Sequence, residues 1–154
     1  MSASSAAPPR RGGSAEGTWS ALFAAWIVAL IASLGALFIG EVMGQVPCSL
    51  CWHQRAFMFP LALLLAVACF RSDAGAWRYA VPLAATGWLI AAWHTLLFYG
   101  VVSEAIRPCS ASGPSCSGET MMLLGWAPLP VLSLLAFTAI LALLFLVARG
   151  GHKA

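Results

Sequence analysis

Apolar residues in this chain do not alternate with polar ones. They run in four long blocks separated by short polar stretches. The first block, Trp19 to Ile39, holds no charged residue, the second is Phe57 to Phe70, the third about Tyr79 to Tyr99 and the fourth about Leu129 to Ala148. A helix that crosses the hydrocarbon core of a bilayer needs about 20 residues. The second block is too short unless its helix begins near Cys51, which carries Arg55 into the first turn or two. The pattern predicts an all-α polytopic membrane protein. Its fold is an antiparallel bundle of four transmembrane helices at about 19–40, 51–70, 79–99 and 129–148. The connections 40–47 and 71–78 are short, as in an up-down bundle, whereas 100–128 is a long loop that carries cysteines.

Composition agrees with that pattern. The chain is 61% hydrophobic and only 8% charged, against about 25% charged in soluble domains, which excludes a soluble globular fold. Its 154 residues make one domain, here 18–149. Residues 1–17 are rich in Ser, Ala, Pro and Gly and are expected to be a disordered cytoplasmic tail; 150–154 form a short second tail. Arg10-Arg11 precede an apolar run, as in a secretion signal. The run is longer than a signal's apolar region and no convincing cleavage site follows, so it is expected to be a retained helix.

A net charge of +3 is too small to argue for nucleic acid, but its distribution orients the bundle. Four spans put both termini and the 71–78 connection on one side, with Arg10, Arg11, Arg71, Arg78, Arg149 and Lys153. Only Arg55 and Arg107 fall on the other, so six of the eight basic residues mark the cytoplasmic face. Cys48, Cys51, Cys109 and Cys116 then face outward, where disulfides persist.

Two pairs of thiols carry the candidate chemistry. Cys48-Ser49-Leu50-Cys51 is a CxxC at the head of the second helix, a spacing that closes into a disulfide. A helix N-terminus and a nearby cation favour a thiolate there, and Arg55 shares a helix face with Cys51. An arginine at the centre of a span costs about 2.5–3.5 kcal/mol and less near an end. A bland alternative is that Arg55 snorkels to the headgroups; its place one turn from Cys51 favours a functional role. His94 lies roughly 8 Å below the outer end of the third helix and Arg55 roughly 6 Å below Cys51, at 1.5 Å per residue. Two ionisable groups at similar depth on neighbouring helices are expected to line one pocket.

Cys109 and Cys116 sit in a run of loop-formers and close a short loop, so their disulfide gains little chain entropy and is open to exchange. Cys69 is roughly 27 Å from Cys51 along the same helix and reads as a small buried hydrophobe. Haem attachment is excluded because Trp52, not His, follows Cys51. Zinc held by the four outer cysteines would leave Arg55 unexplained, and no metal site is assigned.

The stretch from Glu41 to Pro60 resembles the DsbB/BdbC family of membrane disulfide-generating proteins. Pro47, Cys48, Leu50, Cys51 and Arg55 match its Pro-Cys-x-Leu-Cys-x-x-x-Arg hallmark. Trp52 to Arg55 look most like the BdbC branch. His94-Thr95-Leu96-Leu97 resembles the family's third-helix motif. Cys116, Gly125-Trp126 and Pro128 resemble its approach to the fourth helix.

The resemblance implies a bacterial inner-membrane enzyme that reoxidises a DsbA-like or BdbD-like thioredoxin-fold thiol oxidase. Electrons pass to a membrane quinone, ubiquinone or menaquinone. By position, Cys109 would form the mixed disulfide with the partner, and Cys116 would pass electrons to Cys48. Cys51 would be the thiolate facing the quinone, Arg55 would stabilise it and polarise a carbonyl, and His94 would help bind the ring. The family potentials agree, since a DsbA-type oxidase near about −120 mV needs a still stronger acceptor.

The sequence departs from the DsbB pattern in three ways. Phe98 stands where a Gln is expected four residues after the His. The second pair spans a short loop, and the positions after Cys51 differ. A vitamin K epoxide reductase-like enzyme would place its loop pair before the CxxC, and here the CxxC comes first. The remaining rival is a metal-binding or structural membrane protein stapled by disulfides.

Overall fold

The computed structural model describes residues 12–102, 122–123 and 127–151. The 100–128 loop falls largely outside them, so Arg107, Cys109, Cys116 and Trp126 lie outside the described residues, as does 1–11 of the tail. Four long helices form: α1 (Gly12–Leu37), α2 (Ser49–Phe70), α3 (Trp77–Phe98) and α4 (Leu129–Gly151). All four are long and apolar enough to cross a membrane. Each packs on its neighbours in the chain, and α4 closes the ring against α1, the up-down arrangement that the short connections predict.

The boundaries shift in physically readable ways. Helix α1 begins at Gly12, inside the stretch read from sequence as tail, and ends in a five-residue π turn, Phe38–Val42. Helix α2 starts two residues ahead of Cys51 because the Cys48 side chain caps it, accepting the Cys51 backbone N–H at 3.3 Å. Pro47 therefore lies just outside the cap. At the end of α3 the chain reverses through Gly100 (φ +70°), a conformation without steric cost only for glycine. A two-residue antiparallel pair, β1 (Met122–Leu123) with β2 (Ala127–Pro128), precedes α4. It is the one non-helical pairing among the described residues.

The core explains how close the helices lie. Lipid is as apolar as leucine, so association in a membrane rests on packing, and small residues let backbones approach. Helix α3 buries Ala80, Ala84, Gly87 and Ala91 at intervals of three and four, and α1 buries Ala25 and Ala29. Phe137 of α4 rests so closely on Gly87 that any Cβ there would meet its ring. The same face of α3 continues past Ala91 to His94, which is 1% exposed. Mean hydropathy is 2.5 and 2.8 in the spans of α1 and α4 but 1.5 and 1.4 in those of α2 and α3. The polar chemistry is concentrated on the latter two.

Candidate thiol site at one end of the bundle

The site begins with the cap of α2. Cys48 has extended backbone (φ −69°, ψ 168°), which turns its sulfur back over the first helical N–H groups. This orientation places its Sγ 2.8 Å from the Cys51 Sγ. Both are free thiols. Cys48 is fully buried, beneath a small apolar cluster that includes Leu50, Leu97, Phe98 and Val102. Phe98, the position that departs from the DsbB pattern, thus packs against the cluster that contains Cys48.

Gln54 belongs to none of the motifs read from the sequence, yet it sits at the centre of the site. It is 6% exposed and its Nε2 lies 3.0 Å from His94 Nδ1. The opposite nitrogen of the ring, Nε2, lies 3.8 Å from Cys48 Sγ. The sequence signal was available in the spacing. Leu50, Met58, Leu61 and Leu65 form the buried stripe of α2, and Gln54 is a polar residue on that stripe. A polar group on the buried face of a spanning helix is costly and marks function or a partner.

The Cys48 thiol is held below the ordinary range for a cysteine. The largest cause is the hydrogen bond from the Cys51 thiol; burial opposes it, and the His94 ring and the Cys51 backbone N–H reinforce it. The Cys51 thiol first, with the His94 ring and the first-turn N–H behind it, therefore favours anionic sulfur at the first cysteine of the pair. Cys51 is half-buried, and besides touching Cys48 it lines a cavity of about 400 Å³.

That cavity is lined mainly by α1, α2 and α4. Ile31, Gly35 and Ile39 form one wall, Pro130 and Ser133 another, and Cys51, Gln54, Arg55 and His94 its polar side. Matching depth along the sequence puts Arg55 and His94 in one pocket, and the family resemblance adds Cys51; all three are among the residues that line this cavity. Arg55 Nη2 donates to the Ala36 carbonyl at 2.7 Å, and the guanidinium lies 5.8 Å from the Trp52 ring centroid. Gly40, in the π turn, faces it so closely that a Cβ would come within 3.2 Å of both terminal nitrogens. The fork forms no ion pair among the described residues, so a cation is held in an apolar chamber by a carbonyl and a ring. Such a site suits a ligand carrying anionic or carbonyl oxygen.

The two sulfurs and a His94 ring nitrogen all lie within 4.8 Å of one another. At the other end of α2, Cys69 is buried in the main apolar core, and its backbone carbonyl accepts from Trp19 Nε1 at 3.4 Å.

Comparison with known proteins gives a consistent result. Residues 18–147 match the family described as "Disulfide bond formation protein DsbB". A "Probable disulfide formation protein" of Metapseudomonas resinovorans is 58% identical over 132 residues, 86% of this chain and 92% of that protein. "Disulfide bond formation protein C" of Bacillus subtilis (strain 168) is 40% identical over 132 residues, 86% of this chain and 94% of that protein. A "Probable disulfide formation protein" of Deinococcus radiodurans is 40% identical over 131 residues, 80% of this chain and 85% of that protein. No solved structure gives a significant match.

Proposed function

The chain belongs to the DsbB family of disulfide bond formation proteins, and from that premise we propose that it reoxidises an extracytoplasmic DsbA-like (BdbD-like) thiol oxidase and delivers the electrons to a membrane quinone. The observation that carries this reading is the placement of Cys51 and Arg55 on the wall of one apolar cavity, with the Cys48 sulfur in contact behind Cys51. Drug-sized ligand pockets occupy about 300–1,000 Å³, largely apolar with a few convergent polar groups, and this cavity fits that description.

In this reading the cysteine pairs lie on the outer face of the inner membrane and both termini are cytoplasmic, an orientation that the distribution of Arg and Lys supports. The reduced oxidase attacks the Cys109–Cys116 disulfide at Cys109, and Cys116 leaves as a thiolate. The second thiol of the oxidase attacks the mixed disulfide, so the oxidase departs oxidised and Cys109 is released. Cys116 then attacks Cys48 of the Cys48–Cys51 disulfide and Cys51 leaves as a thiolate. Cys109 resolves that bond by attacking Cys116, which frees Cys48. The outer disulfide is restored and the inner pair holds two electrons. A quinone held there, ubiquinone or menaquinone alike, would take up those two electrons and two protons, and Cys48 and Cys51 would close again into their disulfide. Toward it, Arg55 supplies a fixed cation for a ring oxygen, and Gln54 and His94 supply polar edges to the same wall.

The experiment is capture of the mixed disulfide. A Cys116→Ala variant expressed in its own cells should trap a thioredoxin-fold oxidase through Cys109, and purified wild-type protein should reduce added quinone when given that reduced oxidase. Capture only through Cys48, or no quinone reduction, overturns the assignment. The compact Cys48, Cys51 and His94 donor set supports a second reading, a structural site for a soft metal. Stoichiometric zinc in the purified protein, with both pairs unchanged in oxidation state during turnover, would favour it.

A further inference from the structure

We propose that Gln54 is a positioning residue: its amide fixes the ring of His94 in the Nε2–H tautomer and aims that N–H at the sulfur of Cys48. The inference rests on the reading above only for its consequence in thiol exchange; the geometry stands without it.

Donor and acceptor chemistry fixes the ring. An amide nitrogen has hydrogens and no lone pair to offer. Gln54 Nε2 at 3.0 Å from His94 Nδ1 therefore donates, and Nδ1 accepts. A neutral imidazole that accepts at one nitrogen carries its proton on the other. That other nitrogen, Nε2, is the one 3.8 Å from Cys48 Sγ. Gln54, His94 and Cys48 are 6%, 1% and 0% exposed, so both contacts lie inside the bundle, away from its outer surface. Buried polar groups of this kind are costly when unpaired, and that cost holds the ring in place.

The consequence falls on Cys48 rather than Cys51. When Cys48 is released from a mixed disulfide as a thiolate, the N–H of His94 is already directed at the developing charge. No proton is transferred in this step: Cys48 takes up the bonding electron pair and the hydrogen bond shortens onto it. The sequence assigned His94 to ring binding; here it lines the cavity and also backs the buried thiol, and Gln54 determines which nitrogen performs which task.

The test reads the tautomer directly. Full-length protein in detergent, reduced and labelled with ¹⁵N-histidine, gives ring nitrogen resonances for His53, His94 and His152, assigned by single substitution of the other two. The wild type should show His94 protonated at Nε2 only. Gln54→Leu removes the donor, and the ring should become a mixture of tautomers or switch. Gln54→Glu replaces donor by acceptor and should place a proton on Nδ1, a change opposite to mere loosening. Resolution of the inner pair by a small-molecule thiol at neutral pH should slow by about 10–100-fold in Gln54→Leu, the range that one aligned hydrogen bond to a charged group contributes. A purely Nε2–H ring in Gln54→Leu overturns the proposal. If that variant does not fold, an unchanged ring in Gln54→Glu does the same. Neither measurement uses a quinone or a partner. Failure of the oxidase reading with these tautomers intact would therefore leave the positioning role standing, and the reverse outcome would remove only Gln54.

Discussion

Helix α2 buries a cysteine near each of its ends, and the two are treated very differently by what surrounds them. Cys48 caps the helix with Cys51, His94 and Gln54 arranged behind it and Arg55 about two turns below. Cys69, 8% exposed, packs among Ala68, Leu65 and the aromatic side chains at the other end. Both are buried small hydrophobes by composition. The difference lies in the polar groups that the fold delivers. A thiol becomes a nucleophile or leaving group only where donors or a helix N-terminus stabilise its anion; burial alone leaves it inert.

The largest test of that contrast is deletion of each sulfur. Cys48→Ser or Cys51→Ser should abolish oxidation of the reduced partner oxidase in membrane vesicles, whereas Cys69→Ala should leave the rate within about twofold of wild type, because an Ala fills most of the space of a thiol. Loss of activity in Cys69→Ala without loss of folded protein would break the comparison.

Arg55→Met should come next. Removing the cation from the cavity wall should raise the KM for quinone by about 10–100-fold, in line with about 1.4 kcal/mol per factor of ten for lost charge-assisted hydrogen bonds. Arg55→Lys should restore only part of it, since an ammonium lacks the fork that reaches the Ala36 carbonyl and a ligand together. Initial rates at varied quinone concentration measure both.

The pH dependence sharpens the contrast within the reduced protein. The Cys48 thiol is held below the ordinary range, so its thiolate persists as the pH falls from 8 to 6, where an unperturbed thiol near about 8.5 loses nearly all of its own. Alkylation at Cys48, read by mass spectrometry of peptide adducts, should therefore decline less over that interval than alkylation of a free cysteine. In Gln54→Leu the decline should steepen. An equal decline in the wild type would remove the electrostatic distinction drawn here.

The smallest effects should come from two glycines, one for each region. Gly40→Ala crowds both terminal nitrogens of Arg55 and should raise the KM for quinone a few-fold with little change in melting temperature. Gly87→Ala forces the Phe137 ring aside and should cost about 1–3 kcal/mol, as overpacking does, with the KM unchanged. Thermal unfolding in detergent and quinone kinetics on both variants separate the two.

Much of this architecture is legible in the chain. Four apolar blocks and a length requirement gave four spans, and the shortness of the second block drew its helix up to the CxxC. The stripe Ala80, Ala84, Gly87, Ala91 points at His94 by helical period alone. Other features were not legible from local pattern. Cys48 as the helix cap depends on a backbone conformation that no residue spacing encodes. Gln54 shows locally as a polar residue on the buried stripe of α2, but its partner, 40 residues away on another helix, does not. The π turn at Phe38–Val42 and the approach of Gly40 to Arg55 involve segments 15 residues apart that meet only when α1 lies against α2.

By itself the sequence determined that this is a membrane bundle with a CxxC, an arginine and a histidine near one end. Hydrophobic period and segment length are one-dimensional properties, and the bilayer reads them without reference to packing. Which thiol is buried, which faces the cavity and which nitrogen of His94 meets sulfur were decided by the tertiary structure alone. These depend on angstrom-scale distances between side chains of different helices, and such distances are set only when small residues let those helices close together.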